Sequence, residues 1–371
     1  YRRQRQMCIR DSYIHYKKKS HAKGGSCMKK RMLLLMATVV IGAVMMAGCS
    51  GKDSKDETKE VTIGVQDTDI SAIVADNKGY FDKVFKEENI NAKVKLVMFD
   101  AGPAIMEAFS ANSLDFGCLG DQPCISAIAT GCPAEIIGTY RTQKTGTAVI
   151  ANRNSKIEKV EDLKGKKIGL TLGSNAEHLL NIVLEDAGLT QKDVEIVALE
   201  QADMLSVLQT GDIDAAAVWE PRISQSKDYA FRLADGKGIY DKNGKQTKQV
   251  EYKYFCNPFA ANTAFTSENK EITTAVLKAL EMGAKYTDEN TEDAINIMAD
   301  YTGVDANVAS ASVNCEDRDV KITDDKIAAF KATVEFLISS NQFDTSSDDC
   351  VIKSADDITK YINTSYYDAI K

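Results

Sequence analysis

Short apolar runs alternate along this chain with stretches whose apolar residues recur every three or four positions. Val61-Thr62-Ile63-Gly64-Val65 has the length and β-branched content of a strand. The polar loop Gln66-Asp67-Thr68-Asp69 follows, and a helix then carries Ile73 and Val74 toward Phe81. Val94 to Phe99 is a second strand, and Gly102-Pro103 opens a helix with Pro in a tolerated first-turn position. Leu114 to Leu119 is a third, ending at Gly120-Asp121-Gln122-Pro123, where another helix begins. Steady strand–loop–helix alternation predicts an α/β fold with parallel sheets.

The same order then recurs. Lys167 to Thr171 reads as a strand, and Ser174-Asn175-Ala176-Glu177 has the S-x-x-E spacing of a capping box, so a helix starts at Ser174. Val194 to Leu199 is the next strand, and a helix from Ala202 ends before Gly211, a left-handed C-cap. Ile213 to Trp219 is the third strand, closed by Glu220-Pro221. Ile63-Gly64-Val65 parallels Ile168-Gly169-Leu170, and Leu114-Asp115 parallels Ile213-Asp214. Matches in matching order predict two similar lobes, each offering the loops at its strands' carboxyl ends, where open α/β sheets place ligands. Beyond Tyr254, Ala260 to Phe265 reads as a strand returning to the first lobe. Helices are expected around Ile272–Lys285, Glu292–Tyr301 and after Thr323, the last with Ile327, Phe330, Val334, Leu337 and Ile338 on one face. These helices are expected to pack on the outside of the first lobe.

Charge divides the chain before it describes it. Of 371 residues, 46 are Lys or Arg and 54 Asp or Glu; residues 1–48 hold 11 of the bases and one acid, so 49–371 carry a net −18. That balance excludes a generally basic nucleic-acid binder, and a basic leader on an acidic body is the pattern of an exported protein. Met28-Lys29-Lys30-Arg31 is a positive start, and Met32 to Met46 an apolar run too short to span a bilayer comfortably. Met46-Ala47-Gly48-Cys49 resembles a bacterial lipobox, whose cysteine receives diacylglycerol; the alternative is an ordinary small-residue cleavage site. Residues 28–48 thus read as a lipoprotein signal peptide and 49–59 as a polar tether. Residues 1–27 read as an upstream segment outside fold reasoning, since a natural start sits at Met28. Three His, and six body cysteines without a CxxC pair, predict no metal site. Cys315–Cys350 is a conceivable disulfide, with burial as small hydrophobes the equal alternative.

Several stretches together narrow the reading. They are Phe99-Asp100-Ala101-Gly102-Pro103-Ala104, Leu114 to Pro123, Asp162-Leu163-Lys164-Gly165-Lys166-Lys167-Ile168-Gly169, and Gly211 to Pro221. In this order they resemble the aliphatic sulfonate, taurine and nitrate binding family of ABC-importer solute-binding lipoproteins. The resemblance covers roughly residues 60–345. It implies an α/β, two-lobed periplasmic-binding-protein type II fold, with a ligand cleft between lobes joined by two crossing strands. Residues 60–146 and 256–371 would form lobe 1, and 147–255 lobe 2. It also implies a monomer on the extracytoplasmic face of the bacterial membrane, held by lipid on Cys49, that delivers a small sulfonate-type anion or zwitterion to an ABC permease. No cofactor or nucleic acid is implied. Nitrate, bicarbonate and thiamine-precursor pyrimidines are the alternative ligands, and a secreted α/β enzyme is the alternative class. Cys118, Cys124, Cys132 and the polar insertion Lys242–Gln249 depart from the family pattern and bear on the ligand rather than the fold.

Each candidate ligand residue has a plainer reading beside it. Ser174 and Asn175 either present helix-tip N–H groups to an anion or only cap the helix. Gly120, Asp121 and Gln122 lie at a strand end, where Gly allows close backbone approach, while Asp121 is equally suited to capping. Gln66, Asp67 and Thr68 share that balance. Trp219, the only Trp, is core packing or an apolar wall for an alkyl chain. Glu220 holds a ligand ammonium or pairs with Arg222. Arg141 reaches an oxyanion or is solvated, and His178 reads as structural. Asp67, Asp121 and Glu220, if they flank the cleft, favour a zwitterion such as taurine. No G-x-S-x-G, P-loop, G-x-G-x-x-G or H-E-x-x-H occurs, so no catalytic residue is assigned.

Overall fold

The computed structural model describes residues 58–250, 252 and 255–370. The upstream segment, the signal peptide, Cys49 and most of the tether lie outside the described residues. The first lobe is entered by β1 (Lys59–Val65), β2 (Ala92–Met98), β3 (Phe116–Cys118) and β4 (Ala134–Gln143). Past Gln143 the chain crosses to the second lobe, built on β5 (Thr147–Asn152), β6 (Lys167–Leu170), β7 (Glu195–Ala198), β8 (Ala215–Trp219), β9 (Ala230–Asp235), β10 (Gly238–Tyr240) and β11 (Gln246–Gln249). It crosses back to β12 (Phe255–Asn262), and β13 (Glu316–Asp317) completes the first lobe. The sheets run β13-β4-β12-β3-β1-β2 and β11-β10-β9-β5-β8-β6-β7.

Both sheets are mixed, which corrects the expectation of parallel sheets. β1 is parallel to β2 and β3, and β6 to β7 and β8, as the alternating pattern requires. β12 runs antiparallel to β3 and β4, and β5 antiparallel to β8 and β9. A strand fed by a crossing from the other lobe enters its sheet without a helical crossover and is free to run against its neighbours. The polar insertion supplies the turn and the exposed edge strand β11, which pairs with β10.

The internal repeat is real at the level of atoms. In each lobe the first strand lies between the second and third. The aspartate before the third strand fastens it: Asp115 Oδ2 accepts from Thr62 N at 2.8 Å, and Asp214 Oδ2 from Lys167 N at 3.0 Å. Elsewhere boundaries move. The helix expected to run from Ile73 to Phe81 breaks into Ile70–Asn77 and Tyr80–Glu87, because Gly79 takes a left-handed φ of +69°. The returning strand is Phe255–Asn262, and a helix starts at Thr263 where the strand was expected to continue. Helices Lys270–Glu289, Thr291–Thr302 and Asp324–Ser339 pack on the first lobe as expected, joined by Ala306–Asn314, which was not foreseen. Cys315 and Cys350 are both free thiols, so the conceivable disulfide does not form.

The helix Asn175–Asp186 fixes the second lobe's side of the cleft. Leu179, Leu180, Val183 and Leu184 are wholly buried against the sheet. Each contributes roughly 1.5–3 kcal/mol, enough to hold the helix tip in place. Ser174 is the N-cap, but its hydroxyl donates to Thr171 O at 2.6 Å, so the expected reciprocal capping box does not form. Glu177 reaches instead to Gly173 N, at 2.6 Å.

Candidate functional site

Where the strand ends of the two lobes face each other, a cavity of about 20 Å³ lies between them. Gln66, Gly120, Arg141, Ser174, Asn175 and Trp219 line it, all foreseen from the sequence. Gly102, Pro123, Gln143, Thr147 and Asn257 complete the lining. The lining holds one cation, several neutral amides and hydroxyls, and no carboxylate. Among the described residues no group of three or more His, Cys, Asp or Glu is placed to hold a metal.

Arg141, on β4, is buried, and its guanidinium is tied on most sides. Nη1 donates to Thr68 O and to Glu316 Oε2, both at 3.3 Å. With the Asn257 amide oriented by its neighbours, its oxygen accepts from Arg141 Nε at 2.8 Å and Nη2 at 3.2 Å. Glu316 is shared with Arg318, whose Nε lies 3.3 Å from Oε1. Asp69 Oδ1 lies 3.9 Å from Arg141 Nη2, and its Oδ2 accepts from Gln66 N at 2.7 Å. Burial pushes the Asp69 carboxyl up to about 7, against the pull of Arg141. Burial also raises Glu316, with Arg141 and Arg318 opposing.

Asn175 joins the lobes. Its side chain lies 3.2 Å from Gln122 N and 3.1 Å from the Asn257 amide. Once Arg141 claims the Asn257 oxygen, Asn257 offers Asn175 a donor, and Gln122 N offers a second from the other side. The single oxygen of Asn175 cannot face both, so one donor is left over at this point of the wall. Gly120 makes this approach possible: a Cβ there would lie 2.5 Å from Asn175 Oδ1. Beside Asn175 on the same helix, His178 stacks on Phe336 of the first lobe, centroids 3.7 Å apart, consistent with its structural reading.

The other foreseen residues are placed elsewhere. Asp67 pairs with Arg222 across the lobes and lines a neighbouring groove of about 250 Å³, with Gln201, Pro221 and Thr302 among its walls. Thr68 supports Arg141 through its carbonyl. Asp121 is buried and accepts from Thr333 Oγ1 at 2.6 Å, and Gln122 is wholly buried beside it. Glu220 neither faces the small cavity nor pairs with Arg222. It accepts from Ser224 N at 3.0 Å and Ser224 Oγ at 3.1 Å, and Arg232 lies 3.7 Å away. The three carboxylates expected to favour a zwitterion are thus each engaged by protein groups. Asn257, Gln143 and Thr147 were missed. Asn257 is an amide in the otherwise apolar Phe255-Cys256-Asn257-Pro258-Phe259, a visible signal had the strand been placed there.

Proteins of known sequence or structure resemble this chain over most of its length. A putative aliphatic sulfonates-binding protein of Bacillus subtilis (strain 168) is 29% identical over 325 residues, 86% of this chain and 93% of that protein. The alkanesulfonate-binding protein of Xanthomonas axonopodis pv. citri, solved bound to MOPS, superposes with a TM-score of 0.68 at 21% identity, covering 83% of this chain and 99% of that one. The periplasmic aliphatic sulphonate binding protein of Escherichia coli gives 0.66 at 24% identity, covering 84% and 99%. These two share the fold, so the expected two-lobed binding-protein architecture holds. The NMT1/THI5-like family model matches residues 68–294, more than half the chain, and the chain belongs to that family.

Proposed function

We propose that this chain is the extracytoplasmic solute-binding component of an ABC importer, and that it captures a small alkanesulfonate-type anion in the cavity between its lobes. One observation carries the reading: the lining has a buried arginine and a leftover amide donor at Asn175 and Asn257 but no carboxylate. A sulfonate offers three acceptor oxygens and one negative charge, which suits Arg141, the Asn175 amide and the helix tip at Ser174. Trp219 supplies apolar surface for the carbon attached to sulfur. Gln66, Gly120 and Asn257 complete the contacts, with Asp67, Thr68, Asp121, Gln122 and Glu220 holding the loops that carry them. With its carboxylates engaged elsewhere, the site has no evident use for a ligand ammonium, and taurine should bind no better than ethanesulfonate. The matching B. subtilis and E. coli proteins are named for aliphatic sulfonates, which supports the same class.

A cavity of about 20 Å³ has room for about one water, less than a sulfonate needs. The lobes, 60–146 with 256–371 and 147–255, therefore part to admit ligand and close on it. The chain acts by binding, not catalysis, as a monomer that docks on its permease. Cys49 carries the lipid anchor; Cys49→Ala should release the protein from membranes, and equal retention of the variant would contradict the anchor. A melting-temperature panel of alkanesulfonates, taurine, nitrate, bicarbonate and a pyrimidine tests the ligand class, since a ligand of the native state raises stability by mass action. Alkanesulfonates should raise it most. A shift with nitrate or the pyrimidine alone would overturn the reading.

A further inference from the structure

Arg141 has five N–H groups, and four are committed to Thr68 O, Glu316 and the Asn257 oxygen. The remaining Nη2–H has Asp69 Oδ1 as its nearest carboxylate oxygen, at 3.9 Å, too far for a hydrogen bond. Asp69 is wholly buried, and among the described residues no group meets hydrogen-bond geometry at Oδ1. The same guanidinium lines the cavity. An anion in that cavity and the Asp69 carboxylate therefore compete for one N–H and one positive charge.

We propose that Asp69 is a positioning residue for anion capture that takes up a proton on Oδ1 as the ligand binds, so that about one proton enters from solvent with each anion above neutral pH. This rests on the reading of the cavity as an anion site. The buried network holds Arg141 and Arg318 against Asp69 and Glu316, with the half-exposed Asp288 also on Arg318 at 2.7 Å, so it has no spare positive charge before the ligand arrives. A monoanion adds a further negative charge in a region that water reaches poorly, and protonating one carboxylate offsets it. Glu316 touches both arginines at 3.3 Å, whereas Asp69 has only Arg141 at 3.9 Å, so Asp69 is the one to yield. Burial already holds Asp69 at about 7; Arg141, the Gln66 N–H and the Tyr140 hydroxyl draw it down, and Glu316 pushes it up. A bound anion cancels part of the Arg141 effect and raises it further. Cys118, Tyr140 and Tyr301, the other titratable groups near Asp69, are all raised by burial and stay neutral through this range.

The test is calorimetric titration of ethanesulfonate into the full chain, in two buffers of different ionisation enthalpy, at pH 5.5 and pH 8. The wild type should take up about one proton per ligand at pH 8 and close to none at pH 5.5. Its affinity should fall by up to about tenfold per pH unit above pH 7. Asp69→Asn should show buffer-independent heats at both pH values, with affinity at pH 8 within about threefold of the wild type at pH 5.5. Binding by the wild type at pH 8 without proton uptake overturns this inference alone, as does uptake that persists in Asp69→Asn. Should that variant fail to fold, the wild-type buffer dependence still decides. Absence of binding at both pH values overturns the anion reading and this inference with it.

Discussion

Arg141 is buried with two carboxylates near it, and a lysine in its place would keep the charge but lose the fork. Nε and Nη2 both reach the Asn257 oxygen, and a single ammonium cannot make that contact and also reach Thr68 O and Glu316. Asp69 shapes stability as well as binding. Its folded pKa, about 7, stands above its ordinary 3.8, so between those values the native state holds a proton that the unfolded chain has released. Stability from this group therefore falls as pH rises from about 4 to 7, by up to about 1.4 kcal/mol per unit, and the loss is complete above 7. Asp69→Asn should remove that slope in chemical denaturation run across pH 4–8. A difference between variant and wild type that does not change with pH would refute it. At this scale the sequence singled out Arg141 and Asn175, and both line the cavity, one from near a strand end and one from a helix start. It hid the roles of Asp121 and Glu220, because a carboxylate at a strand end looks the same whether it faces a cleft or, like Asp121, reaches Thr333, 212 positions away.

Among elements, the Asn175–Asp186 helix and the loop at Gly120 close the cavity from opposite lobes. Gly120 has an ordinary extended backbone, so its importance is space and not conformation. Gly120→Ala would drive the Asn175 amide from between Gln122 N and Asn257. Fold stability should change little, because the displaced group is a side-chain end, but ethanesulfonate affinity should drop by ~1–2 kcal/mol as a hydrogen-bonded partner is lost. Unchanged affinity in calorimetry would show that Asn175 is not a ligand group. The elements themselves were largely legible, since short β-branched runs and Gly or Pro breaks carry their own signal. The helix Ala306–Asn314 was not: its Ala-Asn-Val-Ala-Ser-Ala-Ser-Val-Asn buries only Ala309, Ser312 and Val313, too weak an apolar stripe to read. Nor was the direction of β5 and β12, which the crossings between lobes set and no local pattern records.

For the whole molecule, the described residues show both polar pairs and apolar contacts between the lobes. Asp67–Arg222, Asn175–Gln122, Gln342–Glu177 at 3.4 Å and the His178–Phe336 stack hold them together. Two lobes joined by two crossings can open by a hinge there when such contacts part. Arg222→Ala removes one latch and should enlarge the ligand-free radius of gyration in small-angle scattering, with saturating ethanesulfonate restoring the compact value. An identical profile with and without ligand in both proteins would count against closure. The body's net −18 repels a free anion at long range, so capture has to be local, which returns the account to one guanidinium in the cavity wall. The most direct measurement is therefore titration calorimetry of ethanesulfonate on the wild type and on Arg141→Lys. The account predicts saturable one-to-one binding by the wild type and a loss of ~1.5–3 kcal/mol in the variant, with the variant's melting cooperative. Equal affinity in the two proteins, or no binding by a folded wild type, would contradict it.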